Sequence, residues 1–139
     1  MNIQKFLVSG IVGGIVSFFM GWLVYGIVLM DYMNQHPGTA GNINRTEMVW
    51  WALILGNLFS GLTFSYIWNK WTNITTIAAG AMGGAVLGLL FALSFDLTMY
   101  GTSTILSLNA IGADVIGSIV LNAVVGAAVG WANSWGNKA

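Results

Sequence analysis

Four carboxylates are the whole acidic complement of this 139-residue chain, and their positions set out the chemistry open to it. Asp31 and Glu47 fall in a polar stretch, DYMNQHPGTAGNINRTE, together with His36, Arg45 and the only proline. Asp96 and Asp114 belong to long apolar runs. Asp96 closes a series, Gly80, Gly84, Gly88, Ala92, Asp96, that recurs every fourth residue, and Asp114 opens another, Asp114, Ser118, Asn122, Gly126, Gly130. At helical spacing each series is one stripe, so a flat face suited to close backbone approach ends in a carboxylate. A carboxylate near the edge of a hydrocarbon layer must be hydrated or partnered, and two brought close together can share a proton or hold a cation. The candidate polar site is therefore Asp96 and Asp114, with His36, Asp31 and Glu47 on the same side of the chain's threading. The competing role is helix capping. Asp114 would lie in the first turn of a helix starting near residue 111, where the macrodipole favours a carboxylate, whereas Asp96 near a helix end has no such role.

Other chemistries find no residues to carry them. With no cysteine and one histidine, neither a thiolate site nor a paired-histidine site for zinc or haem can be built, and no fixed spacing joins His36 to the acids. No cofactor and no metal are expected. Gly80-x-x-Gly83-Gly84 lies inside an apolar run with no preceding strand and no lysine, so it is not a phosphate loop. Nothing resembles a Ser/His/Asp or Cys/His arrangement, no catalytic residue can be named, and an enzyme is not expected. A net charge of zero leaves no basic patch for nucleic acid.

The elements that must position the acids follow from composition. Charged residues are 6% of the chain and hydrophobic residues 57%, too few charges to cover a water-soluble surface. With a mean hydropathy of +0.80 the class is integral membrane, and the partner is the lipid bilayer. At about 20 apolar residues per crossing, the length has room for four helices in a single domain spanning 1–139. The expected fold is all-α, a four-transmembrane-helix bundle with helices over residues 6–30, 48–68, 74–99 and 111–133. The first run is too long for a signal peptide and passes through Phe18, Phe19, Trp22 and Tyr25, so it is read as a retained helix. Thr46-Glu47 reads as a start signal for the second helix. The 19 glycines supply packing faces: Gly10, Gly14 and Gly21 on the first helix, Gly61 on the second, Gly80, Gly84 and Gly88 on the third, Gly126 and Gly130 on the fourth. Asn57 and Asn122 are the intramembrane amides, candidates for an interhelical clasp or for lining a path.

Lys5, Lys70 and Lys138 fall on one side of this threading and Arg45 on the other, which places both termini in the cytoplasm by the positive-inside rule. Asn57-x-x-x-Gly61 and Asn122-x-x-x-Gly126 share a pattern, as do Gly10-x-x-Gly13-Gly14 and Gly80-x-x-Gly83-Gly84. The chain thus reads as a helical hairpin repeated twice, in parallel orientation, with Asn57 and Asn122 meeting near mid-membrane.

Gly80-x-x-Gly83-Gly84 through Asp96-Leu97-Thr98, and Gly21-Trp22-Leu23 through Tyr25 and Tyr32, resemble the third-helix and first-helix patterns of small four-helix bacterial membrane protein families of unknown function. The resemblance implies a multi-pass protein of the bacterial inner membrane and brings no activity. The leading expectation is a non-enzymatic structural or accessory subunit that packs through its glycine faces with copies of itself or with a larger membrane complex. The alternatives are a small transporter or channel for a proton, ion or small solute using the outer acids, and a membrane enzyme.

Overall fold

The computed structural model describes residues 1–41 and 43–137; Lys138, counted above for topology, lies outside them. Its elements in chain order are α1 (Ile3–Leu23), continued by a π-helical turn (Val24–Val28), the short α2 (Met30–Gln35), α3 (Trp50–Ile67) with its own π-helical turn (Trp68–Thr72), α4 (Ile77–Thr102) and α5 (Leu108–Asn133). Four spans, Ile3–Val28, Trp50–Thr72, Ile77–Thr102 and Leu108–Asn133, are long and apolar enough to cross a membrane.

Capping explains where the observed helices depart from the expected ones. Thr76 and Ser107 accept from the backbone N–H of Ala79 (3.2 Å) and Ala110 (3.1 Å), so α4 starts later than residue 74 and α5 earlier than residue 111. α4 also runs on through Thr102, which shortens the following loop. α3 begins behind Val49 with no side-chain cap, so Thr46-Glu47 does not start it. The first helix is not one straight run to residue 30. Leu29 N–H reaches back to the Val24 carbonyl at 2.8 Å, which widens the turn, and Asp31 lies in the first turn of α2 rather than in a loop. At the end of α3, Asn73 adopts a left-handed backbone with φ 52°, one of the few non-glycine residues that does so readily, and closes the helix.

The heaviest packing is α4 on α5, then α1 on α3, then α1 on α5, so the four long helices succeed one another as α3, α1, α5, α4. Glycines mark the closest approaches. A methyl group on Gly61 would overlap the backbone of Gly10, Gly13 and Gly14, and one on Gly126 would overlap the backbone of Gly80 and Gly84. Gly88 meets Ser118 and Asn122, and Gly130 meets the Thr76 carbonyl. Gly21 departs from the pattern, with only Leu121 nearby at 4.0 Å. The named faces of α1 and α4 are therefore turned to the chain's own helices.

At the end opposite the acids a core of Phe64, Trp68, Val125 and Val129 is roofed by a buried polar network. The Ser9 and Ser65 hydroxyls lie 2.6 Å apart; one donates to the other, which in turn donates to a carbonyl of α1, Lys5 for Ser9 or Phe6 for Ser65. The Asn69 amide donates to the Ser65 carbonyl and to Asn133 Oδ1, and Asn133 donates to the Ile74 carbonyl at 3.0 Å. Trp68, 2% exposed, donates its indole N–H to the Gly126 carbonyl at 3.1 Å and so ties the end of α3 to α5. In an apolar surrounding every such group needs a partner, and these have one. Trp68→Phe removes that bond and part of the core; we expect a loss of about 2–3 kcal/mol, read as a lower unfolding temperature in detergent micelles.

Candidate functional site

Asp96 lies six residues before Thr102, the end of α4, and Asp114 six residues after Leu108, the start of α5. At 1.5 Å rise per residue both are about 9 Å inside their helices. Asp114 therefore sits in the second turn, beyond the first-turn position expected of it, and the N-terminal field has largely fallen off there. Because α4 and α5 run antiparallel, connected only by the short segment 103–107, these equal offsets bring the two side chains to one cleft.

The cleft has a volume of about 380 Å³. α4 lines it with Phe91, Ala92, Phe95 and Asp96, and α5 with Asp114 and Ser118. Tyr25 enters from the π-helical turn of α1, its hydroxyl 3.4 Å from the Asp114 backbone carbonyl, and Leu106 closes the loop side. The two carboxyl groups and the Tyr25 hydroxyl are within electrostatic reach of one another. Asp96 is 3% exposed, and its Oδ2 is buried without a hydrogen-bond partner. An unpartnered buried carboxylate oxygen is among the costliest groups a fold can retain. Among the described residues no basic side chain lines the cleft.

A second cleft of about 550 Å³ lies beside the first on the loop side, lined by Pro37, Gly38, Thr39, Thr104 and neighbouring residues of both loops. Leu106 lines both clefts. The long loop is held over this end by an isolated β-bridge between Pro37 and Leu106 and by the Thr39 and Ala40 N–H groups on the Thr104 carbonyl. Ser107 donates to the His36 carbonyl at 2.5 Å while capping α5. Ser107→Ala loses both bonds; we expect trypsin to cut at the exposed Arg45 several-fold faster, with the helical spans still protected, as read by limited proteolysis and mass analysis.

The remaining candidates lie elsewhere. His36 stacks on Tyr32, with ring centroids 4.2 Å apart, and is not among the residues lining the acid cleft. Asp31 and Glu47 are exposed and outside it. Among the described residues no three His, Cys, Asp or Glu side chains form a group that could hold a metal ion. Asn57 and Asn122 do not pair. Asn57 accepts from Ser17 (2.8 Å) and donates to the Leu53 carbonyl, while Asn122 donates to the Ser118 carbonyl (2.8 Å), because each faces the first helix of its own hairpin.

Two polar members of the cleft, Tyr25 and Ser118, fall outside the acid grouping that the sequence suggests. Ser118 shares the Asp114 stripe and was visible there, but Tyr25 is brought in by a widened turn that leaves no mark in apolar periodicity. No family model matches the chain, and comparison with curated proteins and with solved structures gives no match.

Proposed function

We propose that this is a multi-pass protein of the inner membrane, with both termini cytoplasmic, that acts without catalysis as a small transporter or channel whose cation or proton site is the Asp96–Asp114 pair. The observation that carries the reading is the buried, unpartnered Oδ2 of Asp96 on a cleft with a second carboxylate and, among the described residues, no counter-charge. Within a membrane span an ionisable side chain marks a pathway or binding site by default. The second cleft adjoins the first on the loop side, with Leu106 between them. A structural or accessory role would need contact faces other than the glycine stripes, since those are occupied within the chain.

The hairpin repeat belongs to this reading. Gly14 approaches the Asn57 carbonyl, as Gly84 approaches that of Asn122. Gly61 meets Gly10 and Gly14 as Gly126 meets Gly80 and Gly84. Ser65 meets the Phe6 carbonyl as Gly130 meets that of Thr76. Phe6, Gly10 and Gly14 thus correspond to Thr76, Gly80 and Gly84, and Asn57, Gly61 and Ser65 to Asn122, Gly126 and Gly130, with no gap within either set. In this register Asp96 corresponds to Gly26 and Asp114 to Val49, so the second hairpin alone carries the acids.

The test is cation or proton flux in proteoliposomes holding the purified full chain. A saturable flux reduced at least tenfold by Asp96→Asn is expected. Flux that is absent, or equal in the two proteins, would remove the site.

A further inference from the structure

We infer that the cleft between α4 and α5 binds an organic ammonium ion, held by Asp96 and Asp114 and walled by the rings of Phe91, Phe95 and Tyr25. This rests on the carboxyl-pair site above and gives its ligand class.

Charge decides the sign of the ligand. Two carboxylates line the cleft and, among the described residues, no lysine, arginine or histidine does, so neutrality must come from protons or from a cation supplied from outside. Asp96 is buried with one oxygen unpartnered, so it is poised to accept a hydrogen bond or to face a positive charge.

Volume decides its kind. A volume of about 380 Å³ far exceeds an ion and falls in the range of small-molecule sites.

The walls decide the substituents. Phe91 and Phe95, 57% and 65% exposed, stand one helical turn apart on α4 beside the Ala92–Asp96 stripe, and Tyr25 lines the cleft from the π-helical turn that follows α1. Aromatic faces attract a cation through the ring quadrupole and accept its alkyl groups, also at exposed sites. An alkyl or aryl ammonium satisfies the carboxylates, the rings and the volume together, whereas an inorganic ion satisfies the charge alone.

The probe is benzyltrimethylammonium, titrated calorimetrically into the full chain in micelles, with NaCl and KCl titrated separately. The wild-type chain is expected to bind it saturably, with at least tenfold weakening in Asp96→Asn. Phe91→Leu with Phe95→Leu keeps the apolar character of the wall and both acids and should weaken binding about two- to fivefold; it keeps the test open if the Asp96 variant does not fold. Ammonium binding unchanged in both variants would overturn the inference. Binding of Na⁺ or K⁺ that depends on Asp96, without ammonium binding, would overturn the ligand class and leave the carboxyl site standing. No binding of any of the three, together with flux insensitive to Asp96, would overturn both.

Discussion

Gly61→Leu is expected to abolish recovery of folded protein, with size-exclusion profiles in mild detergent collapsing to aggregate and no cooperative thermal transition. The side chain would be driven into the backbone of Gly10, Gly13 and Gly14, and backbone, unlike the tip of a flexible side chain, has nowhere to rotate. Overpacking against side chains costs about 1–3 kcal/mol. Here the only relief is to move α1 bodily away from α3, and α1 is also the helix that joins α3 to α5. The loss therefore spreads to a second interface and exceeds that range. Gly56→Leu is the control, since nothing lies within 4 Å of a Cβ at that position, and it should behave as wild type. Gly126→Leu should fail as Gly61→Leu does, because Gly80 and Gly84 present the same obstacle.

Asp96→Leu is expected to raise the unfolding temperature and to eliminate flux. The wild-type carboxyl is buried with one oxygen lacking a hydrogen bond, a condition that costs about 1–3 kcal/mol, and leucine of similar reach removes it. A gain in stability with loss of activity is the signature of a group retained for function. Asp96→Asn keeps shape and polarity but not charge, so it should lose at least tenfold in flux with a smaller change in stability. A fall in unfolding temperature for Asp96→Leu would show that the carboxyl holds the α4–α5 pair together and would transfer the residue to the scaffold.

Much of this was legible in the residues because lipid imposes severe rules. Few charges and four apolar runs leave a helical membrane bundle as the only economical solution, and spacing by fours in Gly80, Gly84, Gly88, Ala92 and Asp96 specifies which face of α4 is flat. Spacing does not reveal what that face meets. Asn57 and Asn122 were expected to meet one another, yet α3 packs chiefly on α1 and α5 chiefly on α4, so each amide turns toward its own hairpin partner. The extra residue in the Val24–Val28 turn is equally silent, and with it the approach of Tyr25 to Asp114. Thr76 and Ser107 carried ordinary capping chemistry that the more conspicuous Thr46-Glu47 overshadowed. Ser9, Asn69 and Asn133 are single polar residues in three separate segments, and only the fold joins them into one network.

The order α3, α1, α5, α4 has a consequence for biogenesis. Each hairpin brings its tightest contact from within its own half of the chain, so α1 and α3 can associate while the second half is still being translated. The second pair can then form by the same move, and the α1–α5 seam is left as the final docking step. The α1–α5 contact, between the first and the last of the four long helices, has to wait for the whole chain. The acid-bearing cleft, which needs Tyr25 from the first half and both carboxylates from the second, is completed last.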